Sequence, residues 1–131
     1  MPRLFTIEEA NALLPALREE LARLAEAHDR MVGAARALEG LERRRDRSNA
    51  LQLARPLREA RERLGQAVAM RRDALERFAA RGVQVKSIEP ALLDFPARRD
   101  GRVVLLCWRD GEPSVAHWHD LDGGFASRQP L

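Results

Sequence analysis

The stretch "RDGRVVLLCWRDGEPSVAHWH", residues 99–119, decides how the second half of the chain folds. Val103–Trp108 is an apolar run of strand length, and "SVAHWH" alternates as a half-buried strand does. Each is preceded by an Asp-Gly pair, Asp100-Gly101 and Asp110-Gly111, the dipeptide that most strongly favours a tight antiparallel turn. Working back from there, "LLDFPA" and "VQVKSIE" complete a set of four short antiparallel strands over 83–119. Glu89-Pro90 stops the first of them, and Pro96 marks an edge or a bulge because it has no N–H to give to a ladder.

Upstream of Gly82 the period is helical. Thr6 and Glu9 form an S/T-x-x-E capping box, so a helix starts at Ile7. Leu14, Leu17, Leu21, Leu24, His28, Met31, Ala35 and Leu38 then follow at alternating spacings of three and four, a coiled-coil-like seam. Pro15 interrupts the backbone bond to Asn11 and predicts a kink there. Gly40 and the arginine-rich run "LERRRDRSN" make the connection near 40–49, with Asn49 and Gln52 able to cap a second helix whose first turns hold Pro56. Its apolar positions run through Leu57, Ala60, Leu64, Ala67, Val68, Ala74, Leu75 and Phe78 to Gly82, a natural helix stop.

The reading is therefore α+β in one domain, 1–131: a long antiparallel helical hairpin (7–82), a small antiparallel sheet (83–119) and an irregular C-terminal tail (120–131). A hairpin with two helices of about 30 residues has flanks that a second copy can cover, so a homodimer is expected.

Composition narrows the function classes. Cys107 is the only cysteine, which excludes an internal disulfide, and Met1-Pro2-Arg3 leads straight into a helix start and not into a secretory leader. No apolar run approaches the roughly 20 residues of a membrane span. A cytoplasmic protein that does not engage membranes is expected. Residues 1–82 carry 17 basic against 13 acidic side chains and 83–131 carry 6 against 7, giving the net +3. Most arginines stand beside acids at helical spacing, the pattern of a solvated face, so nucleic acid is not an expected partner.

The histidines concentrate the chemistry. His117 and His119 point to one face of a strand about 7 Å apart and can reach one transition metal, zinc, iron or manganese, with Asp120, Asp122, Asp94 and Glu112 as candidates for the further ligands. If Asp110-Gly111 is a two-residue turn, Val104 opposes His117 and Arg102 opposes His119, which puts Cys107 on the other face. A Cys-His-His site is disfavoured in that register. A separate small-ligand site under the tail would use Arg128 for an anion, Trp118 as a stacking surface, and Asp94 and Gln129 as polar contacts.

The motifs "FTIEEANALLPALRE", "LLDFPARRDGRVVLLCW" and "GEPSVAHWHDLDGGFASRQPL" resemble those of a family of small bacterial proteins catalogued as domain of unknown function 2203. The resemblance implies no activity. It implies that the motif residues gather in the sheet and tail: Asp94, Phe95, Pro96, Cys107, Trp108, Glu112, Trp118, His119, Asp120, Gly124, Phe125, Arg128, Gln129 and Pro130. Three classes follow: a non-enzymatic self-associating or partner-binding protein, a divalent-metal protein using His-x-His-Asp-x-Asp, and a binder of small anions.

Overall fold

The computed structural model describes residues 3–47 and 50–131. Two helices, α1 (Ile7–Arg47) and α2 (Ala54–Ala80), precede five strands, β1 (Gln84–Ile88), β2 (Ala91–Arg99), β3 (Arg102–Arg109), β4 (His117–His119) and β5 (Gln129–Pro130). The α+β reading holds. The strands form one antiparallel sheet in the order β1-β2-β3-β4-β5, each pairing with its neighbour in sequence. No helix among the described residues is long and apolar enough to cross a membrane.

The capping box at the start of α1 forms in both directions, with Thr6 N–H on Glu9 Oε1 at 2.9 Å and Glu9 N–H on Thr6 Oγ1 at 3.0 Å. The end of α1 departs from the sequence reading. The helix passes through Gly40 and ends at Arg47, because six arginine and acid side chains over 42–47 solvate a helix as readily as a loop. The connection is correspondingly shorter, and the Asn49 cap lies outside the described residues. A 3-10 turn, Ala50–Leu53, leads into α2, whose third residue is Pro56, so no intrahelical donor is lost. Gly82 follows α2 at φ +80° as its stop residue, donating to Ala79 O at 2.9 Å.

The chain divides into two compact units, residues 1–22 with 75–131, and residues 23–74. The second unit is helical hairpin alone. Leu24, Ala27, Leu53, Leu57, Ala60, Ala67 and Ala74 are buried in it, whereas His28, Met31 and Leu38 of the seam are half-buried. Arg71 Nε donates to His28 Nδ1 at 3.2 Å, so His28 is a satisfied seam histidine with that nitrogen unprotonated.

In the first unit Leu93, Phe95, Val104, Leu106 and Trp108 are buried on one face of the sheet. Phe95 meets the ring of Phe5 edge-on at 5.4 Å, and Arg18 of α1 lies over Trp108. Pro96 sits inside β2, not in an edge strand. Its missing donor costs nothing because β1 pairs only as far as Asp94, and beyond it Phe5 N–H takes the Pro96 carbonyl at 2.7 Å.

The two Asp-Gly turns behave differently. Asp100-Gly101 is a two-residue hairpin turn closed by Arg99 and Arg102, with both φ positive at 51° and 79°, the type I′ geometry. Asp110-Gly111 is not. It opens a connection running from Asp110 to Ala116, and β4 begins only at His117. Pro113 cannot join a ladder, and Val115 N–H is drawn away to Asn11 Oδ1 at 2.7 Å. The expected four strands become five because the tail is not wholly irregular: Gln129 pairs with Trp118 and Pro130 with His117, while Phe125–Ser127 forms a 3-10 turn.

Candidate metal centre

The longer β3–β4 connection corrects the site. Cys107 pairs with His117 and Leu105 with His119, so both histidines lie on the face that carries Cys107, the opposite of the expected register. Asp94 pairs with Cys107 from the other side. Counting back from the closed Arg99–Arg102 pair, Asp94 and Cys107 form a non-hydrogen-bonded pair, the kind in which facing side chains stand closest. Three adjacent strands thus deliver a carboxylate, a thiol and two imidazoles to one patch of the sheet.

Asp94, Cys107 and His119 are all buried, at 1 %, 2 % and 2 % exposure. One donor atom from each lies within 4.8 Å of the other two. His119 Nδ1 is 2.8 Å from the Asp120 carbonyl and Nε2 is 3.0 Å from Asp94 Oδ2. A carbonyl only accepts, so Nδ1 carries hydrogen and Nε2 faces the carboxyl. Asp94 and His119 therefore hold one proton between them, as carboxylic acid with neutral imidazole or as carboxylate with imidazolium. Burial raises the Asp94 carboxyl above the usual carboxylate range, against the opposing charge of His119. Burial and the neighbouring Asp94 also push the Cys107 thiol up to about 11, so it is protonated at neutral pH and is no nucleophile. The thiol faces the carboxylate, yet Asp94 Oδ1 is buried with no hydrogen-bond partner of ordinary geometry.

The other expected ligands are placed elsewhere. Asp120 pairs with Arg102 at 2.9 Å, Asp122 is exposed, and Glu112 accepts both guanidinium N–H groups of Arg128 at 2.8 and 2.7 Å. His117 stands beside the cluster, half-buried, with Nδ1 3.6 Å from Glu112 Oε2.

The small-anion arrangement is not assembled either. The Arg128 guanidinium is taken by Glu112, which it holds below the ordinary carboxylate range, and it stacks on Phe125 at 4.1 Å. Trp118 is buried, with Arg99 and Arg102 over its ring, and Gln129 is exposed. Asp94 belongs to the histidine cluster.

Cys107 is the residue that the sequence reading set aside, and the signal for it lay in Glu112-Pro113-Ser114, a run unable to begin a strand. The clefts beside Arg3, Leu4 and Met70 are not lined by Asp94, Cys107 or His119.

Comparison with curated proteins and with solved structures finds no match. The model of one family covers residues 3–131, nearly the whole chain. The protein belongs to the family of uncharacterized conserved proteins DUF2203.

Proposed function

We propose that the protein binds a divalent transition-metal ion, zinc in preference to iron or manganese, through Asp94, Cys107 and His119. The observation that carries this reading is the meeting of three buried donor groups, the Asp94 carboxyl at 1 % exposure, the Cys107 thiol and the His119 imidazole, within 4.8 Å of one another. The donor set is one sulfur, one nitrogen and one oxygen, and thiolate with imidazole favours zinc over harder ions such as manganese.

Two details support the assignment. His119 donates Nδ1–H to a backbone carbonyl, the contact that orients ligating histidines and leaves Nε2 for the metal. Bonds of 2.0–2.3 Å set tetrahedral donors about 3.5 Å apart, so loading widens the 3.0 Å Asp94–His119 contact slightly and replaces its hydrogen bond with two metal bonds. The reading is one of metal binding and assigns no reaction.

Titration with cobalt(II) tests it. The expected result is saturation near one equivalent with a thiolate-to-cobalt absorption band that Cys107→Ser abolishes. A titration without that band would overturn the reading.

A second reading, self-association through the helical hairpin, rests on Val68 and Met70, which are 47 % and 45 % exposed. Met70 lines an apolar groove with Gly33, Ala34 and Ala67 in the second unit. Leu21 and Leu24 of the helical seam are buried within the chain, and Leu64 is half-buried. Light scattering on wild type and Met70→Glu tests this: a dimer that the substitution dissociates supports it, and a wild-type monomer refutes it.

A further inference from the structure

Outside the buried cluster lies a second group of polar side chains that the metal reading leaves unused. His117 is the ladder partner of Cys107, and its Nδ1 is buried without a hydrogen-bond partner. The 3.6 Å separation from Glu112 Oε2 is an electrostatic approach, too long for a hydrogen bond. Glu112 is fixed from behind by Arg109 N–H at 2.7 Å and from the front by the two-pronged Arg128 contact. The Arg128 charge also acts on the Cys107 thiol, lowering it against the effect of burial. Side-chain exposure rises from 2 % at Asp94 and His119 to 14 % at Arg128, 22 % at Glu112 and 31 % at His117. This side of the cluster is therefore partly open to solvent.

We infer that Glu112 and His117 form an outer docking site for a divalent cation on its way to Asp94, Cys107 and His119, and that Arg128 closes it. The inference rests on the metal-binding reading. A carboxylate and an imidazole with a free nitrogen are a nitrogen-oxygen donor pair suited to such an ion. With Arg128 in place the carboxylate is occupied and a guanidinium stands in the path, so an approaching cation meets a like charge where the dielectric is low. When Arg128 swings out, Glu112 is released, the repulsion goes, and the ion can be held by Glu112 and His117 before it passes inward. Arg128 holds the docking carboxylate through both guanidinium N–H groups, so one side-chain movement frees it.

The test is stopped-flow mixing of cobalt(II) with the wild-type chain, Arg128→Gln, Glu112→Gln and His117→Ala, following the thiolate-to-cobalt band, with release measured by chelator and folding checked by circular dichroism. Loss of a two-pronged charged contact is expected to speed both association and release by about tenfold or more in Arg128→Gln. His117→Ala, which removes a half-exposed side chain and leaves Arg128 paired, is expected to slow association, as is Glu112→Gln. Unchanged association in Arg128→Gln, or a change in release alone, overturns the gate. Unchanged association in His117→Ala overturns the docking pair. A wild-type chain that gives no band removes the metal reading and this inference together; a wild-type band with unaltered rates in the variants removes this inference only.

Discussion

Asp94 and His119, 25 positions apart, meet at 3.0 Å on a buried patch of the sheet, and the Asp120 carbonyl fixes which histidine nitrogen faces the acid. That contact sets the proton count of the proposed centre. Cys107 holds a second proton, since its thiol is pushed up to about 11.

Metal binding should therefore be strongly pH-dependent. An ion that takes Asp94, Cys107 and His119 displaces one proton from the Asp94–His119 pair and one from the thiol, so its apparent affinity should rise about 100-fold per pH unit around neutrality. Isothermal titration in buffers of different ionisation enthalpy should count about two protons released per ion. Release of none would mean that the ion sits elsewhere.

The Arg128–Glu112 pair should contribute to stability with a defined pH sign. Arg128 lowers the Glu112 carboxyl below its unfolded value, so the contribution is fully present above about pH 4.3 and is lost as pH falls through the lower folded-state value. Glu112→Gln should destabilise the protein by about 2 kcal/mol at neutral pH, with the difference from wild type shrinking in acid. Urea unfolding at pH 7 and pH 3 checks both.

Much of this fold was legible because the local signals were strong and agreed with one another. The Thr6–Glu9 box, Gly82 and the Asp100-Gly101 turn each specify a backbone conformation through their own chemistry. What was not legible depended on competition between distant groups. Asp110-Gly111 resembles Asp100-Gly101 in sequence, but Asn11 of α1 captures Val115 N–H and Glu112 captures Arg109 N–H, and these contacts spread the turn into a long connection. Because side chains alternate along a strand, that change of parity moved Cys107 from the far face onto the histidine face. His119 and Asp94 were both legible as candidates; that they meet each other and Cys107 was not, since Asp94 reaches His119 from two strands away.

Leu24 and Met70 should separate folding from association. Leu24→Ala opens a cavity at a fully buried position and should cost about 2–5 kcal/mol in chemical denaturation. Met70→Glu alters a side chain that is 45 % exposed and should leave the unfolding midpoint within about 0.5 kcal/mol of wild type.

Thr6→Ala removes the hydroxyl that caps α1 and should destabilise the chain by about 1 kcal/mol, measured by thermal or urea unfolding. The same substitution should leave metal affinity unchanged, since Thr6 is not one of the three proposed ligands.

The most direct measurement is elemental analysis by plasma mass spectrometry of untagged, extensively dialysed protein after exposure to zinc, on wild type, Cys107→Ser and His119→Ala. The account predicts about one zinc per wild-type chain and a loss of it in both variants while circular dichroism shows the fold retained. A wild-type chain free of metal, or a full complement of zinc in Cys107→Ser, would contradict it.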